Sequence, residues 1–151
     1  MEESREKMLI GEVFHSIDTK GRYIVPSKFR EDLGDKFIVA KGLDDCLCLY
    51  SLESWEETLS EFKKQLPAND EDARAVARVF LASVFDVEID KQFRVVLPQI
   101  LRNHANLEKE IVSVGMAGRV EIWDKATWDK FMEKSQVIYE ANAARYMGPF
   151  I

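Results

Sequence analysis

The sequence predicts an α+β protein built from two interlocked, pseudo-symmetric halves. Two observations carry that prediction. The string Asp18-Thr19-Lys20-Gly21-Arg22-Tyr23-Ile24-Val25-Pro26-Ser27-Lys28-Phe29-Arg30 recurs 72 residues later as Asp90-Lys91-Gln92-Phe93-Arg94-Val95-Val96-Leu97-Pro98-Gln99-Ile100-Leu101-Arg102. Both copies read D-x-x-x-R, three apolar residues, then P-x-x-x-R, and an internal repeat decides architecture before anything else does. Each copy is also followed by the same succession of patterns: short helix, strand, loop, strand, longer helix. Neither half has enough apolar residues to be comfortable alone, so the two are expected to share one core.

Residues 11–17 carry Val13, Phe14 and Ile17 in a strand-like pattern. Asp18 to Gly21 reads as a tight turn, because an Asp side chain accepts backbone N–H groups two residues on and Gly supplies positive φ. Arg22 to Val25 resume a strand, which makes the segment a β-hairpin. Pro26 ends that strand, Ser27 to Leu33 form a short helix, and Gly34 caps it. Phe37 to Ala40 and Cys46 to Tyr50 are strands. Ser54 and Glu57 have capping-box spacing at the start of a helix that can begin as early as Leu52. Trp55, Leu59, Phe62 and Leu66 give that helix an apolar face, and Pro67 breaks it. Asp70 to Asp72 place acids at the next helix start, where the dipole favours them. Residues 83–89 alternate as a strand into Asp90. Arg94 to Leu97, 111–114 and 120–123 are further strands, with a loop at Ala117-Gly118. Asp124 caps a last helix carrying Trp128, Phe131 and Met132.

Past the motif the repeat continues at an offset of 73, pairing Lys36 with Lys109, Val39 with Val112, Gly42 with Gly115, Tyr50 with Trp123 and Trp55 with Trp128. One residue is inserted between the second short helix and its next strand. The expected organisation is a single intertwined domain over 8–135. Its repeats span about 11–66 and 83–135, joined by a helix at about 69–82. Residues 1–7 read as a disordered extension, with Met8 an alternative start, and 136–151 as an aperiodic, mobile tail.

Of 151 residues, 46% are hydrophobic, ordinary for a packed domain. No apolar run approaches the ~20 residues of a membrane helix, and residues 1–7 lack the apolar core of a secretory signal. A cytoplasmic protein is expected. Cys46 and Cys48 fall on one strand face as small hydrophobes, and no second Cys/His cluster completes a metal site. Nucleotide-binding and nucleophile-elbow fingerprints are absent, so neither a cofactor nor a small-molecule substrate is expected. A carboxylate dyad of Asp18 and Asp90 is the sole catalytic alternative, and the cations beside each aspartate favour a turn role instead.

The formal net charge is −6, which disfavours nucleic-acid binding through the overall field. Local placement reverses that. Thr19 to Arg30 contains Lys20, Arg22, Lys28 and Arg30 with no acid, while the acids gather in residues 51–72 and near the termini. Lys20 and Arg22 flank a turn and can be ordinary solvated charges. They are equally suited to DNA, since Arg grips phosphates or guanine edges bidentately and Lys supplies a point charge. Lys28 is a weaker candidate, and Arg30 can pair with its neighbouring acids. Asp18 and Asp90 are assigned to the turn together with Gly21, because a carboxylate facing phosphates would repel them. Trp55, Trp123 and Trp128 are expected as core or interface anchors. His15 and His104 stand isolated and carry no assigned role.

With these motifs, and with Gly42-Leu43-Asp44-Asp45-Cys46-Leu47-Cys48-Leu49-Tyr50, Ala105 to Glu110 and Glu121-Ile122-Trp123, the chain resembles the MraZ family of bacterial transcriptional regulators, relatives of the AbrB-like swapped-hairpin proteins. The resemblance covers about Met8 to Met132. It implies two swapped-hairpin units forming a small β-barrel-like core with flanking helices. It implies a ring-shaped homo-oligomer, nucleoid-associated, that binds double-stranded promoter DNA at direct repeats upstream of the division and cell-wall gene cluster. The D-x-x-x-R segments would line a common basic surface, which carries over to Asp18, Lys20 and Arg22 and to Asp90, Lys91 and Arg94. One departure stands out: the family's glycine before the second Arg is Phe93 here, a bulky residue where positive φ is wanted. That favours the first copy as the DNA-facing one. The competing reading is an antitoxin-like or scaffold module that binds a partner chain without specific DNA.

Overall fold

The computed structural model describes residues 8–150, so the expected extension at residues 1–7 lies outside the described residues. The chain is a mixed α+β fold with wholly antiparallel pairing. The first half contains β1 (Leu9–Ser16), β2 (Arg22–Ile24), α1 (Ser27–Leu33), β3 (Lys36–Lys41), β4 (Leu47–Ser51) and α2 (Leu52–Gln65). Helix α3 (Glu71–Ala82) connects. The second half contains β5 (Phe85–Glu88), β6 (Arg94–Val96), α4 (Gln99–His104), β7 (Glu110–Ala117), β8 (Val120–Asp124) and α5 (Lys125–Met147).

Six strands form one sheet in the order β1-β7-β8-β4-β3-β5, and β2 and β6 form a separate two-stranded ribbon. The expected hairpin is therefore corrected. β1 does not pair with β2 across the Asp18 turn; it pairs with β7 of the other half, while β5 pairs with β3. The turn carries the chain out of the large sheet and into the ribbon. Apolar pressure explains the exchange. Tyr23, Val25, Val95 and Leu97 are buried with Phe29, Leu33, Phe37, Ile111 and Ile122 in one cluster drawn from both halves, which neither half could close alone.

The pairing is centred on equivalent residues. Tyr23 lies opposite Val95, its own counterpart 72 residues on, and Cys48 lies opposite Glu121, its counterpart 73 residues on. A pseudo-twofold axis thus passes through the ribbon and through the β4–β8 seam. The same symmetry revises the expected alignment of β3 with β7. Phe37 faces Ser51 as Ile111 faces Asp124, and Ser51 and Asp124 are the N-caps of α2 and α5. Ile111 is therefore the counterpart of Phe37, an offset of 74, and Ser113 that of Val39. Two residues are inserted before β7, and one is lost from the loop before β8.

Local chemistry sets the helix ends. Pro26 and Pro98 are the N-caps of α1 and α4. Gly34 closes α1 at φ 82° with its N–H on the Arg30 carbonyl. The Ser51 hydroxyl accepts from the Ser54 N–H, so α2 starts at Leu52 and Ser51 is the cap, not Ser54. Asp70 caps α3 through the N–H groups of Asp72 and Ala73. Asp124 precedes α5, but its carboxylate accepts the Glu108 N–H at 3.0 Å instead of capping the helix. α5 continues to Met147, so the segment expected as an aperiodic tail is helical for most of its length. Val137, Ile138, Tyr139 and Tyr146 are exposed on it. Trp128 and Phe131 pack its first turns against Trp123, and beyond Met132 no apolar stripe was there to announce the helix.

Candidate nucleic-acid interface

Each D-x-x-x-R string folds into the same small device. Asp18 Oδ1 accepts the N–H groups of Lys20 and Arg22, both at 3.0 Å, and Asp18 Oδ2 pairs with Arg22 Nε. Asp90 Oδ1 accepts from Gln92 at 2.8 Å and Arg94 at 2.9 Å, and its Oδ2 takes Arg94 Nε at 3.0 Å. The spacing is what makes this possible. A short acidic side chain bonds the backbone two and four residues on, and the arginine at the fourth position then reaches back along the same edge. The backbone N–H of Arg22, above all, holds the Asp18 carboxyl below the usual carboxylate range, and that of Arg94 does the same for Asp90. Both aspartates therefore remain ionised, with their oxygens occupied inside the turn. The guanidinium is oriented through Nε, which leaves its terminal nitrogens for an outside acceptor.

The turns hand directly into the ribbon. Strand alternation sends Tyr23 and Val95 inward and Arg22, Ile24, Arg94 and Val96 outward. Arg22 lies opposite Val96 and Ile24 opposite Arg94, so two arginines occupy one diagonal of a four-residue face and two aliphatic side chains the other. Ile24 is 47% exposed and Val96 57%. Exposed aliphatics between arginines do not serve the core. Sequence reasoning missed both, although the alternation that buries Tyr23 was enough to place them. Lys20 and Lys91 sit exposed in the turns at the ribbon ends. Lys28 is engaged elsewhere: its ammonium stands over the Phe29 ring at 5.6 Å, and a Cβ on Gly11 of β1 would come within 2.6 Å of it.

The second arginine of each string locks the ribbon. Arg30 Nε donates to the Val25 carbonyl at 2.8 Å, and Arg102 Nε to the Leu97 carbonyl at 2.9 Å. Each then covers the other half's turn. Arg102 lies where a Cβ on Gly21 would come within 2.6 Å of its Nε, and the Arg30 guanidinium sits 3.9 Å above the centre of the Phe93 ring. The turn has not changed shape to suit Phe93. Phe93 adopts φ 62° against 79° for Gly21, and its ring packs within the chain against the arginine that covers it. Below the ribbon, Tyr23 and Ser113 share a 2.7 Å hydrogen bond between their hydroxyls, and His15 Nε2 meets the same Ser113 oxygen at 2.7 Å. Burial pushes the Tyr23 phenol up and the His15 imidazole down, so both are neutral partners that pin the ribbon to β7 and β1.

A sequence profile of the MraZ protein family, described as antitoxin-like, matches residues 8–79 and again residues 80–148. The chain belongs to the MraZ family. Similarity to individual MraZ proteins is high. The "Transcriptional regulator MraZ" of Caldanaerobacter subterraneus is 47% identical over 133 residues, 88% of this chain and 92% of the relative. That of a Thermoanaerobacter species is 48% identical over the same shares. That of Acetivibrio thermocellus is 47% identical over 138 residues, 91% of this chain and 96% of its own. The double match to the MraZ profile reflects the two halves seen in the strand pairing. No helix among the described residues is long and apolar enough to cross a membrane.

Proposed function

We propose that this MraZ-family chain is a transcriptional regulator, not an enzyme, that binds double-stranded promoter DNA through the β2–β6 ribbon and its two flanking turns. The relatives' shared description as transcriptional regulators supports the class of function. The ribbon carries the assignment of the surface. A two-stranded ribbon fits the major groove, oriented arginines read guanine or phosphate, and exposed aliphatics contact thymine methyls. Arg22 and Arg94 are the principal contacts, Ile24 and Val96 lie between them, and Lys20 and Lys91 reach the backbone. Lys28 ranks last because its ammonium is already engaged over Phe29. The matched geometry puts the two arginines on an equal footing, despite Phe93.

The finer reading follows the family resemblance. The fold is of the AbrB-like swapped-hairpin type, supported by the exchange of β1 and β5 between halves. The chain is cytoplasmic and nucleoid-associated, and it forms a ring-like homo-oligomer on direct repeats upstream of the division and cell-wall genes. Exposed Val76, Val79 and Leu81 on α3 and the apolar residues of α5 offer surface for such contacts. A ring would present several ribbons at the repeat spacing and gain by avidity. The test is mobility shift with DNA from upstream of the chain's own gene, against a scrambled control, over a salt series. Binding should be specific and fall steeply with ionic strength as counterion release is lost. Arg22→Ala should abolish the specific shift while leaving the far-UV spectrum and the oligomer size unchanged.

A second reading is a protein-interaction module of antitoxin type, favoured by the same exposed apolar residues on α3 and α5. Binding carried by those surfaces would persist at high salt and ignore Arg22→Ala.

A further inference from the structure

Antiparallel register places Cys48 of β4 directly opposite Glu121 of β8, and Cys46 lies on the same face. The two sulfurs and a Glu121 carboxylate oxygen lie within 4.8 Å of one another, and all three residues are buried. They occupy the sheet face opposite the main core, beside Val112, Val114 and Trp123. The sequence offered only the C-x-C pair, because the carboxylate comes from the other half. Two thiols packed against a carboxylate do not suit the small-hydrophobe role expected of them. We propose that Cys46, Cys48 and Glu121 form a binding site for a thiophilic divalent cation of the zinc class, a clamp across the seam between the two halves.

The surroundings fit such an ion. Ligand atoms around a tetrahedral zinc stand roughly 3.5 Å apart, given bonds of about 2.0–2.3 Å, so small side-chain rotations complete the geometry. Glu121 is already oriented from outside: Trp123 Nε1 donates to its Oε1 at 3.0 Å and Arg119 to its Oε2 at 3.2 Å. These are the hydrogen bonds that orient a metal-ligating carboxylate. Charge also balances, since two thiolates and a carboxylate are offset by a dication and the Arg119 guanidinium. Binding displaces the two thiol protons to solvent and changes no oxidation state. An entry path exists where the exposed Leu43-Asp44-Asp45 loop ends at Cys46. The site is independent of the DNA reading, because it lies on the β4–β8 seam and uses none of the ribbon's residues.

The test is titration of the full, reduced chain with Co2+ as spectroscopic probe, then displacement by Zn2+. One equivalent per chain should bind with a thiolate-to-cobalt charge-transfer band. The Cys46→Ala/Cys48→Ala double variant should lose that band. Glu121→Gln should weaken binding on the order of 10- to 100-fold. A missing band in the wild type, a band unchanged in the double variant, or a Glu121→Gln titration matching the wild type overturns the site. A second readout needs no variant. These are the chain's two cysteines, so Zn2+ must protect both thiols from alkylation in the wild type; alkylation at an unchanged rate overturns the proposal equally.

Discussion

The two halves share a backbone plan and differ in what they place at equivalent points around the axis. Beneath the ribbon, His15, Tyr23 and Ser113 form a hydrogen-bonded triad. Their counterparts Val87, Val95 and Val39 are apolar members of the same core. At the turn, Phe93 stands where the first half has Gly21. On the outer face, Arg119 and Glu121 occupy the positions that Cys46 and Cys48 hold in the first half. At the D-x-x-x-R device itself the halves agree in every bond that the aspartate side chain makes. Core positions have drifted to whatever fills the space, whereas the arginine-orienting geometry is kept twice. A fold needs only complementary packing at the first set of positions; presenting two matched guanidinium groups needs the second set held alike.

The sharpest way to break that comparison is Arg94→Ala set beside Arg22→Ala. Equal presentation predicts equal loss, about 1–3 kcal/mol for each specific contact, multiplied where several copies engage one DNA. Quantitative mobility shift or anisotropy at fixed salt checks it. Near-normal binding by the Arg94 variant would return the contact to the first half alone. The turns come next. Gly21→Ala should lower stability by about 1–2 kcal/mol, because an L-residue resists φ near 79° and its Cβ runs into Arg102. Phe93→Gly should shift stability by less than about 1 kcal/mol. It relieves the strained φ but gives up the Arg30 stacking, roughly 0.5–1 kcal/mol at an exposed site. Chemical denaturation of both variants decides whether the ring offsets the strain.

The smallest effect separates the triads. Burial holds the His15 pKa below its ordinary 6.5, so the unfolded chain binds the proton more readily than the folded one. The stability linked to His15 is therefore complete above pH 6.5 and is lost as pH falls below it. His15→Val, which copies the second half, should flatten that part of the stability profile. A slope unchanged below pH 6.5 in the variant would assign it to other groups.

The outcome for each sequence reading follows the range of the interaction behind it. Asp18, Gly21, Pro26 and Gly34 act within a few residues, and their roles were legible. So were the repeat itself and the order of the six elements, four strands and two helices, in each half. The choice of strand partner was not legible, since the hairpin reading assumed the nearest strand and the structure uses one about a hundred residues away. Glu121 was invisible to the cysteines for the same reason. Asp124 had cap chemistry but found the Glu108 N–H first. α5 escaped notice beyond Met132 because a stretch of helix whose apolar residues stay exposed leaves no periodic signature. Lys28, a weaker candidate in the sequence, has its ammonium over the Phe29 ring, a contact between neighbours that composition alone does not show.

The pairing of Leu9 with Ala117 also bears on how the chain is made. On the ribosome β1 must wait for β7, and β2 for β6, so the first half emerges with two strands whose partners do not yet exist. At about 5–20 residues per second the gap for β1 is roughly 5–20 s. Folding that proceeds from the N-terminus onward is thereby denied to this chain, and its sheet is completed by the strands synthesised last. Long sequence separation of this kind also slows the final collapse. An exposed first half is the form in which a chaperone, or a second nascent copy offering its own β7, would meet the protein.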